Sequence, residues 1–211
     1  MGPHAGRPVI EAGAPLGLAP ATVILVHGRN AGPENILGLV PRLARPALTY
    51  LAPAAAGRTW YPYSFLAPIP DNEPGLSSAL ALLAALVARI ESTGVTRSRI
   101  VLMGFSQGGC LAAEFAVRHT SRYGGLVVFS GGLIGPPGTS WNSTGSFDGT
   151  PVFLGCSDQD NHVPATRVVE SADVFARLTA SVTTRLYPGM GHLLNDDEIA
   201  AAQAILDAAA A

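Results

Sequence analysis

The stretch R-I-V-L-M-G-F-S-Q-G-G-C, residues 99–110, decides the fold. Its apolar residues Ile100–Met103 predict a buried strand, and the run Cys110–His119 after it predicts a helix. Between them lies the pattern G-x-S-x-G centred on Ser106, which between a strand and a helix indicates a nucleophile elbow. This turn is expected to lift Ser106 clear of the sheet, near free helical N–H groups that favour negative charge. A glycine-rich turn with an incidental serine is the competing interpretation, and the flanking strand and helix argue against it.

The composition limits the classes of function. Of the 211 residues, 48% are hydrophobic and 13% are charged, which is typical of one well-buried α/β domain. The net charge of −2, without a long run of either sign, favours neither nucleic acid nor an anionic membrane as partner. All 13 basic residues are arginine, so lysine-dependent chemistry such as a Schiff base, a PLP site or a Walker-type phosphate loop is excluded. We expect no cofactor and a small-molecule substrate.

Features that would point to secretion or to a membrane are missing from the sequence pattern. Cys110 and Cys156 form neither a disulfide framework nor a zinc spacing, and they are expected to be small buried side chains. The segment M-G-P-H-A-G-R-P lacks an apolar signal, and the apolar run Leu80–Val87 is too short to cross a bilayer. We therefore expect a cytoplasmic protein without membrane insertion, as a monomer or a weak dimer.

Predicted strands alternate with predicted helices along the chain. The strands are Thr22–Val26, Ala47–Ala52, Ile100–Met103, Gly125–Phe129, Pro151–Gly155 and Val182–Leu186. The helices are Pro33–Ala44 (with Pro41 expected to bend or break it), Gly75–Ser92, Cys110–His119, Val163–Leu178 and Asp196–Ala210. This alternation predicts a mostly parallel sheet with helices on both faces. We expect a single domain over residues 1–211, in which residues 1–20 form an N-terminal extension with a possible edge strand at Arg7–Ala12.

The turns after the strands carry the polar residues. Ligands of such sheets bind beyond the C-terminal ends of the strands, so these turns are expected to meet at one edge. They are H-G-R-N at 27–30, G-F-S-Q-G at 104–108, S-D-Q-D-N-H at 157–162 and G-M-G-H at 189–192.

A serine nucleophile needs a base and a carboxylate to orient that base. His192, in the turn after the last strand, is the expected base, with His162 as its one serious rival. Asp160 is the expected acid because it is the last side chain free to reach across before the next helix, whereas Asp158 fits a turn or capping role. A metal site made of Asp158, Asp160 and His162 is conceivable, but its spacing matches neither a zinc pattern nor a calcium loop. We expect no metal.

Two backbone N–H groups are expected to stabilise the oxyanion. One belongs to Gln107, which follows the nucleophile, and the other to Arg29, in the turn after the first buried strand. Because both act through the backbone, the Arg29 side chain is left free to face solvent. Losing one such donor typically costs on the order of 10²- to 10³-fold in rate.

The long loop Pro53–Glu73 is the expected source of substrate contacts, because loops of this length in compact domains are usually functional. Its aromatic residues Trp60, Tyr63 and Phe65 could line an acyl or aryl pocket. Packing of the loop itself is the alternative for each of them.

Taken together, these residues resemble the phospholipase/carboxylesterase family of α/β-hydrolases, which includes the acyl-protein thioesterases. The resemblance covers most of the chain: V-I-L-V-H-G at 23–28, W at 60, D-N-E-P-G at 71–75, R-I-V-L-M-G-F-S-Q-G-G at 99–109, D-N-H-V-P at 160–164 and Y-P-G-M-G-H at 187–192. It implies an α/β-hydrolase fold without a large lid domain. It also implies cleavage of carboxylic esters or thioesters through a Ser106–Asp160–His192 triad.

The chain departs from the thioesterase members at two places. The segment after H-G is R-N-A-G-P-E-N, and the loop Gly131–Gly149 is short, with few aliphatic residues. Such a loop is not expected to build a long acyl tunnel. The sequence therefore favours a carboxylesterase for short, uncharged esters. The alternatives are a thioesterase or lysophospholipase for longer chains and a catalytically silent binding protein, against which the complete triad argues.

Overall fold

The computed structural model describes residues 2–211, and within them seven strands form one sheet. The strands are β1 (Val9–Gly13), β2 (Thr22–Val26), β3 (Thr49–Pro53), β4 (Ile100–Phe105), β5 (Gly125–Phe129), β6 (Pro151–Ser157) and β7 (Ser181–Tyr187). Their order across the sheet is β1-β3-β2-β4-β5-β6-β7. β1 runs antiparallel to β3, and the other neighbouring pairs are parallel. The N-terminal extension thus supplies one edge of the sheet.

Helices cover both faces of this sheet. They are α1 (Pro33–Leu37), α2 (Val40–Leu43), α3 (Gly75–Glu91), α4 (Gln107–Arg118), α5 (Ala165–Arg177) and α6 (Asp196–Ala210). α3, α4 and α5 pack on one face, and α1, α2 and α6 pack on the other. The predicted fold class, a mostly parallel sheet flanked by helices, is therefore confirmed. Among residues 2–211, none of the helices combines the length and apolar character needed to cross a membrane.

The helices on both faces of the sheet explain why the central strands are apolar along most of their length. In β2, Ile24 and Val26 join the core under α3 and α4, while Val23 and Leu25 join the core under α6. Successive side chains of a strand point to opposite faces, so a strand covered on both faces is buried, and mostly apolar, along its whole length. All five residues of β2 are accordingly buried.

Two predicted helices differ markedly from the structure, whereas α3 and α5 differ from the predicted Gly75–Ser92 and Val163–Leu178 by only one or two residues at an end. α4 begins at Gln107, directly after Ser106, and not at Cys110, because Gly108 and Gly109 form its first turn. The predicted helix Pro33–Ala44 is two short helices that separate at Gly38 and Leu39. Pro41 lies in the first turn of the second one, where a missing N–H costs little.

Glu198, in the first turn of α6, is a buried carboxyl group. Its Oε2 accepts a hydrogen bond from the N–H of Asn195, and the Asn195 side chain accepts one from the N–H of Glu198. This is a reciprocal capping box. Its Oε1 has no hydrogen-bond partner among residues 2–211, and the residue is fully buried. A Cβ on Gly155 of β6 would lie 2.2 Å from this oxygen, so glycine is required there to make room for the carboxyl.

Burial raises the pKa of Glu198 from its ordinary value of 4.5 to about 7, although the hydrogen bond from Asn195 opposes the shift. The folded chain therefore holds this proton more tightly than the unfolded chain. The stability that this bound proton contributes is complete at pH values below the pKa of Glu198 in the unfolded chain. That stability is lost as the pH rises through the pKa of Glu198 in the folded protein.

We expect Glu198→Gln to remove this pH dependence. Between about pH 5 and pH 8, the free energy of unfolding of the wild type relative to the variant should fall by about 2 kcal/mol. Urea unfolding of both proteins at each pH measures the difference, in which the contributions of shared histidines cancel. A difference that stays constant with pH would contradict the raised pKa.

Candidate active site

Three side chains from three different turns meet at the C-terminal edge of the sheet. The Ser106 Oγ lies 2.8 Å from Nε2 of His192, and Nδ1 of His192 lies 2.6 Å from Oδ2 of Asp160. An ionised carboxylate can only accept, so Nδ1 carries the hydrogen and Nε2 is free to accept the proton of the serine. This is the order and geometry in which a histidine activates a hydroxyl group.

The Asp160 side chain is fully buried and its acceptor positions are filled. Oδ1 accepts hydrogen bonds from the N–H groups of His162 and Val163, at 2.7 and 3.1 Å, and Oδ2 also faces the Cys156 thiol. Burial alone raises the pKa of Asp160. The hydrogen bonds from His192, His162 and Val163 outweigh burial, so the pKa lies below its ordinary value and the group stays ionised.

Ser106 occupies a strained turn between β4 and α4. Its φ of 56° lies in the left-handed region, which non-glycine residues rarely adopt. A Cβ on Gly108 would lie 2.1 Å from the carbonyl oxygen of Val26, and one on Gly104 would lie 2.4 Å from that of Gly108. Only glycine fits at these two positions. The strain is therefore held by close backbone contacts on both sides of the serine.

The turn after β2 lies against Ser106. A Cβ built on Gly28 would be 3.5 Å from the Cβ of Ser106, so the backbone of this turn borders the serine. The N–H groups of Arg29 and Gln107 have no hydrogen-bond acceptor among residues 2–211. Gln107 is also the first residue of α4, where the helix dipole favours negative charge. Both predicted oxyanion donors are thus free beside the turn.

The side chains of Arg29 and Gln107 have a role that the sequence did not indicate. The Arg29 guanidinium donates to the carbonyl groups of Tyr61, Pro62 and Tyr63 at 2.6 to 2.9 Å, so it fastens the aromatic loop and does not simply face solvent. The Gln107 amide accepts from the N–H of Trp60 and donates to the carbonyl of Tyr61. Both residues therefore tie the aromatic loop to the turn that carries Ser106.

A cavity of about 680 Å³ opens over Ser106. Its deeper wall includes Tyr61, Phe65, Cys110 and Val163, which are all buried. Tyr63, which is 60% exposed, borders its mouth. Two of the three predicted substrate contacts, Tyr63 and Phe65, thus face the cavity.

Trp60 does not line this cavity, in contrast to the prediction. It is fully buried, its Nε1 donates to the carbonyl of His27 at 2.8 Å, and its ring packs against His27 and His4. His4 is also buried, and its ring donates from Nε2 to the Trp60 carbonyl and accepts at Nδ1 from the N–H of Ala56. The packing alternative therefore describes Trp60, which supports the loop from behind.

The alternative acid, Asp158, and the alternative base, His162, lie outside the hydrogen-bond chain from Asp160 to Ser106. Asp158 is exposed and accepts a hydrogen bond from the N–H of Gly189, so it links the turns that carry Asp160 and His192 without reaching the imidazole. The exposed His162 ring packs edge-on against that of His192, with centroids 4.7 Å apart, and it borders the cavity. Within residues 2–211, no three His, Cys, Asp or Glu side chains are grouped so that they could hold a metal ion.

Neither cysteine competes with the serine. Burial raises the pKa of the Cys110 thiol and that of the Cys156 thiol to about 12. The reactive form of a thiol is the thiolate, which neither residue forms at neutral pH.

Known proteins resemble both the sequence and the fold. A family model described as phospholipase/carboxylesterase matches residues 14–210. A crystal structure of a phospholipase/carboxylesterase from Dyadobacter fermentans superimposes with a TM-score of 0.93 at 40% identity, covering 98% of this chain and 99% of that one. The seven-stranded sheet is thus the α/β-hydrolase sheet of that protein.

Curated relatives carry names from two activity classes. An acyl-protein thioesterase 1 from Gibberella zeae is 32% identical over 138 residues, which are 64% of this chain and 59% of that protein. A lysophospholipase-like protein 1 from Mus musculus is 24% identical over 214 residues, covering 93% of this chain and 88% of that one. The chain thus matches little more than half the length of the first relative.

The position of Asp160 predicts the effect of two matched substitutions. Asp160→Asn removes the acceptor that fixes the His192 tautomer, so kcat for p-nitrophenyl acetate should fall roughly 10⁴-fold. Asp158→Asn alters a carboxylate of the same loop that does not touch the imidazole, and kcat should stay within about threefold. Stopped assays on both variants, with circular dichroism as the test of folding, measure this. Equal losses in the two variants would contradict the assignment of Asp160.

Proposed function

Because the chain belongs to the phospholipase/carboxylesterase family, we propose that it is a serine carboxylesterase for short-chain, uncharged esters. The observation that carries this proposal is the unbroken hydrogen-bond chain from Asp160 through His192 to Ser106, which ends in an open cavity. Membership of the phospholipase/carboxylesterase family, which does not depend on this proposal, follows from the match over residues 14–210.

In the acylation step, the Ser106 Oγ attacks the ester carbonyl carbon while Nε2 of His192 takes up the hydroxyl proton. The negative charge that develops on the carbonyl oxygen accepts hydrogen bonds from the N–H groups of Arg29 and Gln107. As the tetrahedral intermediate collapses, Nε2–H of His192 gives the proton to the leaving oxygen. The alcohol departs and the acyl group remains as an ester on Ser106.

Deacylation repeats these steps with water as the nucleophile. His192 takes a proton from water, and the resulting hydroxide attacks the acyl carbon. Collapse of the second intermediate returns the proton to Ser106 Oγ and releases the carboxylic acid. Throughout the cycle, the buried Asp160 carboxylate stabilises the imidazolium and does not take the proton itself.

The walls of the cavity support a short acyl group. No residue of the loop Gly131–Gly149 lines the cavity within the described part of the chain. The buried side chain of Arg167 holds part of that loop by donating to the carbonyl groups of Leu133 and Gly135. A loop fixed away from the site does not lengthen the cavity into an acyl tunnel.

The names of the curated relatives favour a second candidate, a thioesterase or lysophospholipase for longer acyl chains. The catalytic steps would be identical, because a thiolate can leave from the same tetrahedral intermediate. The two candidates differ in how much of the acyl chain the protein buries.

We also propose the partners, location and oligomeric state of the enzyme. Its partner is a small-molecule ester, with neither nucleic acid nor membrane insertion involved, and it works in the cytoplasm as a monomer or weak dimer. A net charge of −2 that is not concentrated in one segment supports the proposal that nucleic acid and anionic membranes are not its partners.

Ser106→Ala tests the proposal. Removal of the nucleophile should lower kcat for p-nitrophenyl acetate by on the order of 10⁵- to 10⁶-fold, because triad members act as a unit. Ser140→Ala, a change at an exposed serine outside the cavity, is the matched control and should behave as the wild type. A folded Ser106→Ala protein with normal turnover would contradict the proposal.

A series of p-nitrophenyl esters from acetate upward separates the two candidates. Each methylene that the protein buries contributes about 0.8 kcal/mol, or about fourfold in kcat/KM. We expect kcat/KM to stop rising after the first few carbons, since the cavity has no extension along the loop Gly131–Gly149. A continued rise beyond about ten carbons would favour the longer-chain candidate. A matched thioester series then separates thioesterase from lysophospholipase chemistry.

A further inference from the structure

The cavity over Ser106 extends to both faces of the central sheet. On the face covered by α4 and α5, its buried wall belongs to the core that holds Tyr61, Phe65, Cys110 and Val163. On the opposite face, it is lined by four apolar side chains that belong to the other core or pack against it, namely Ile36, Leu39, Phe105 and Leu194. We call these four residues the α1-side wall. Because Ser106 follows β4 at the edge of the sheet, it lies between two apolar halves of one cavity.

The α1-side wall is open to a ligand. Leu39, Phe105 and Leu194 are half-buried and line the cavity, and Ile36 is buried. The four side chains come from separate parts of the chain: α1 and the residues after it, the end of β4, and the turn before α6. Apolar surface that remains partly exposed inside a concave site gains free energy when an apolar group covers it.

The two halves of the cavity suit the two parts of an ester. Once Oγ of Ser106 has bonded to the carbonyl carbon, the acyl chain and the alkoxy oxygen leave that carbon in different directions. The alkoxy oxygen must lie near Nε2 of His192 to receive its proton. The alcohol part therefore begins beside the imidazole, and the neighbours of the imidazole decide where it continues.

Two rings pack against the His192 imidazole, and they mark the two halves. The Phe105 ring, with centroids 5.0 Å apart, belongs to the α1-side wall, which Leu194 extends two residues after His192. The His162 ring, at 4.7 Å, is exposed and comes from the turn that carries Val163. An apolar group gains contact at Phe105 and Leu194, whereas at His162 it would displace water from a polar ring. The alcohol part is therefore expected on the α1 side.

The charges around the cavity favour an uncharged alcohol. In the described range, 2–211, no carboxylate lines the cavity, and Arg29 is its one arginine. The Arg29 guanidinium already donates to the carbonyl groups of three residues of the aromatic loop. A phosphate-bearing alcohol, such as the head group of a lysophospholipid, would lose water against the α1-side wall without gaining a charged partner.

We propose that the α1-side wall is the binding subsite for the alcohol part of the substrate, while the acyl part lies against Phe65 and Val163. The ligand of this subsite is an apolar, uncharged alkyl or aryl alcohol. This inference rests on the proposed esterase function and narrows its substrate class to esters of such alcohols.

A series of alkyl acetates from ethyl to pentyl acetate tests the subsite. The leaving alcohols have nearly equal basicity and every ester gives the same acetyl-enzyme, so differences in kcat/KM report how the protein binds the alcohol during acylation. We expect kcat/KM to rise along the series, by up to about fourfold for each methylene. Titration of the released acetic acid at constant pH measures the rates.

Two neighbouring leucines provide a matched pair of variants. Leu194→Ser should lower the pentyl-to-ethyl ratio of kcat/KM roughly fivefold, because a smaller, polar side chain covers less of the alkyl group. Leu193→Ser makes the same change at a side chain that is 64% exposed and does not line the cavity, and it should keep the ratio of the wild type. Both residues follow His192 directly, so a general disturbance of this turn would change the rates on all esters and leave the ratio unaffected. Leu39→Ser, in another segment, should act as Leu194→Ser does and carries the test if that variant does not fold.

The acyl side has its own readout, the ratio of kcat/KM for p-nitrophenyl butyrate to that for p-nitrophenyl acetate. Phe65→Leu should change this ratio and leave the pentyl-to-ethyl ratio of the acetates as in the wild type. Leu194→Ser should do the reverse. If Leu194→Ser changes only the butyrate-to-acetate ratio, the acyl part occupies the α1-side wall and the inference is wrong.

Other results would also overturn the inference. They are a flat series of alkyl acetates in the wild type, equal changes of the pentyl-to-ethyl ratio in Leu194→Ser and Leu193→Ser, and hydrolysis of p-nitrophenyl acetate through Ser106 without hydrolysis of any alkyl acetate. In the last case the proposed esterase function stands. If p-nitrophenyl acetate is not hydrolysed through Ser106 either, the proposed function itself fails.

Discussion

The close approach of two backbone segments at Gly108 is the constraint on which the site depends. A side chain at this position would collide with the carbonyl oxygens of Val26 and His27, at 2.1 and 2.4 Å. The contact brings the end of β2 against the start of α4. It therefore sets the turn that carries Arg29 beside Ser106 and leaves the first N–H of the helix free. One steric fit thus places Ser106 beside the two residues proposed to stabilise the oxyanion.

Arg29 and Gln107 extend this constraint from the reacting atoms to the pocket. Each offers its backbone N–H near the serine, and each uses its side chain to hold the carbonyl of Tyr61. The wall of the cavity is thus bonded to the residues assigned to the oxyanion. A shift of the aromatic loop would move these residues as well, so the proposed substrate pocket and the proposed oxyanion donors are linked through two side chains.

Much of this arrangement could be predicted from the sequence because it depends on local patterns. Parallel strands bring their C-terminal turns to one edge, and the elbow motif, Asp160 and His192 all lie in such turns. Trp60 shows the limit, because an aromatic residue in a long loop looks the same whether it faces substrate or packs behind it. Its role is decided by His4, 56 positions away along the chain. Such long-range hydrogen bonds leave no periodic signal in a single sequence.

Buried polar groups without partners were equally hidden from the sequence. The carboxyl group of Glu198 and the hydroxyl group of Tyr61 each look like ordinary polar side chains, and only the packing around them shows that they are enclosed. One lies at the cap of α6, where it makes stability depend on pH. The other lies beside the Cys110 thiol, enclosed behind the surface of the cavity. Enclosure, which tertiary contacts create, gives both groups their chemical significance.

We propose that His192 and Asp160 make Ser106 the reactive hydroxyl of this protein. Treatment with a fluorophosphonate, followed by proteolysis and mass spectrometry, measures this reactivity, because such reagents form a stable phosphonyl ester with an activated serine as fluoride leaves. We expect one adduct per chain, on the peptide that contains Ser106. No adduct, or an adduct on another residue with Ser106 unmodified, would contradict the account.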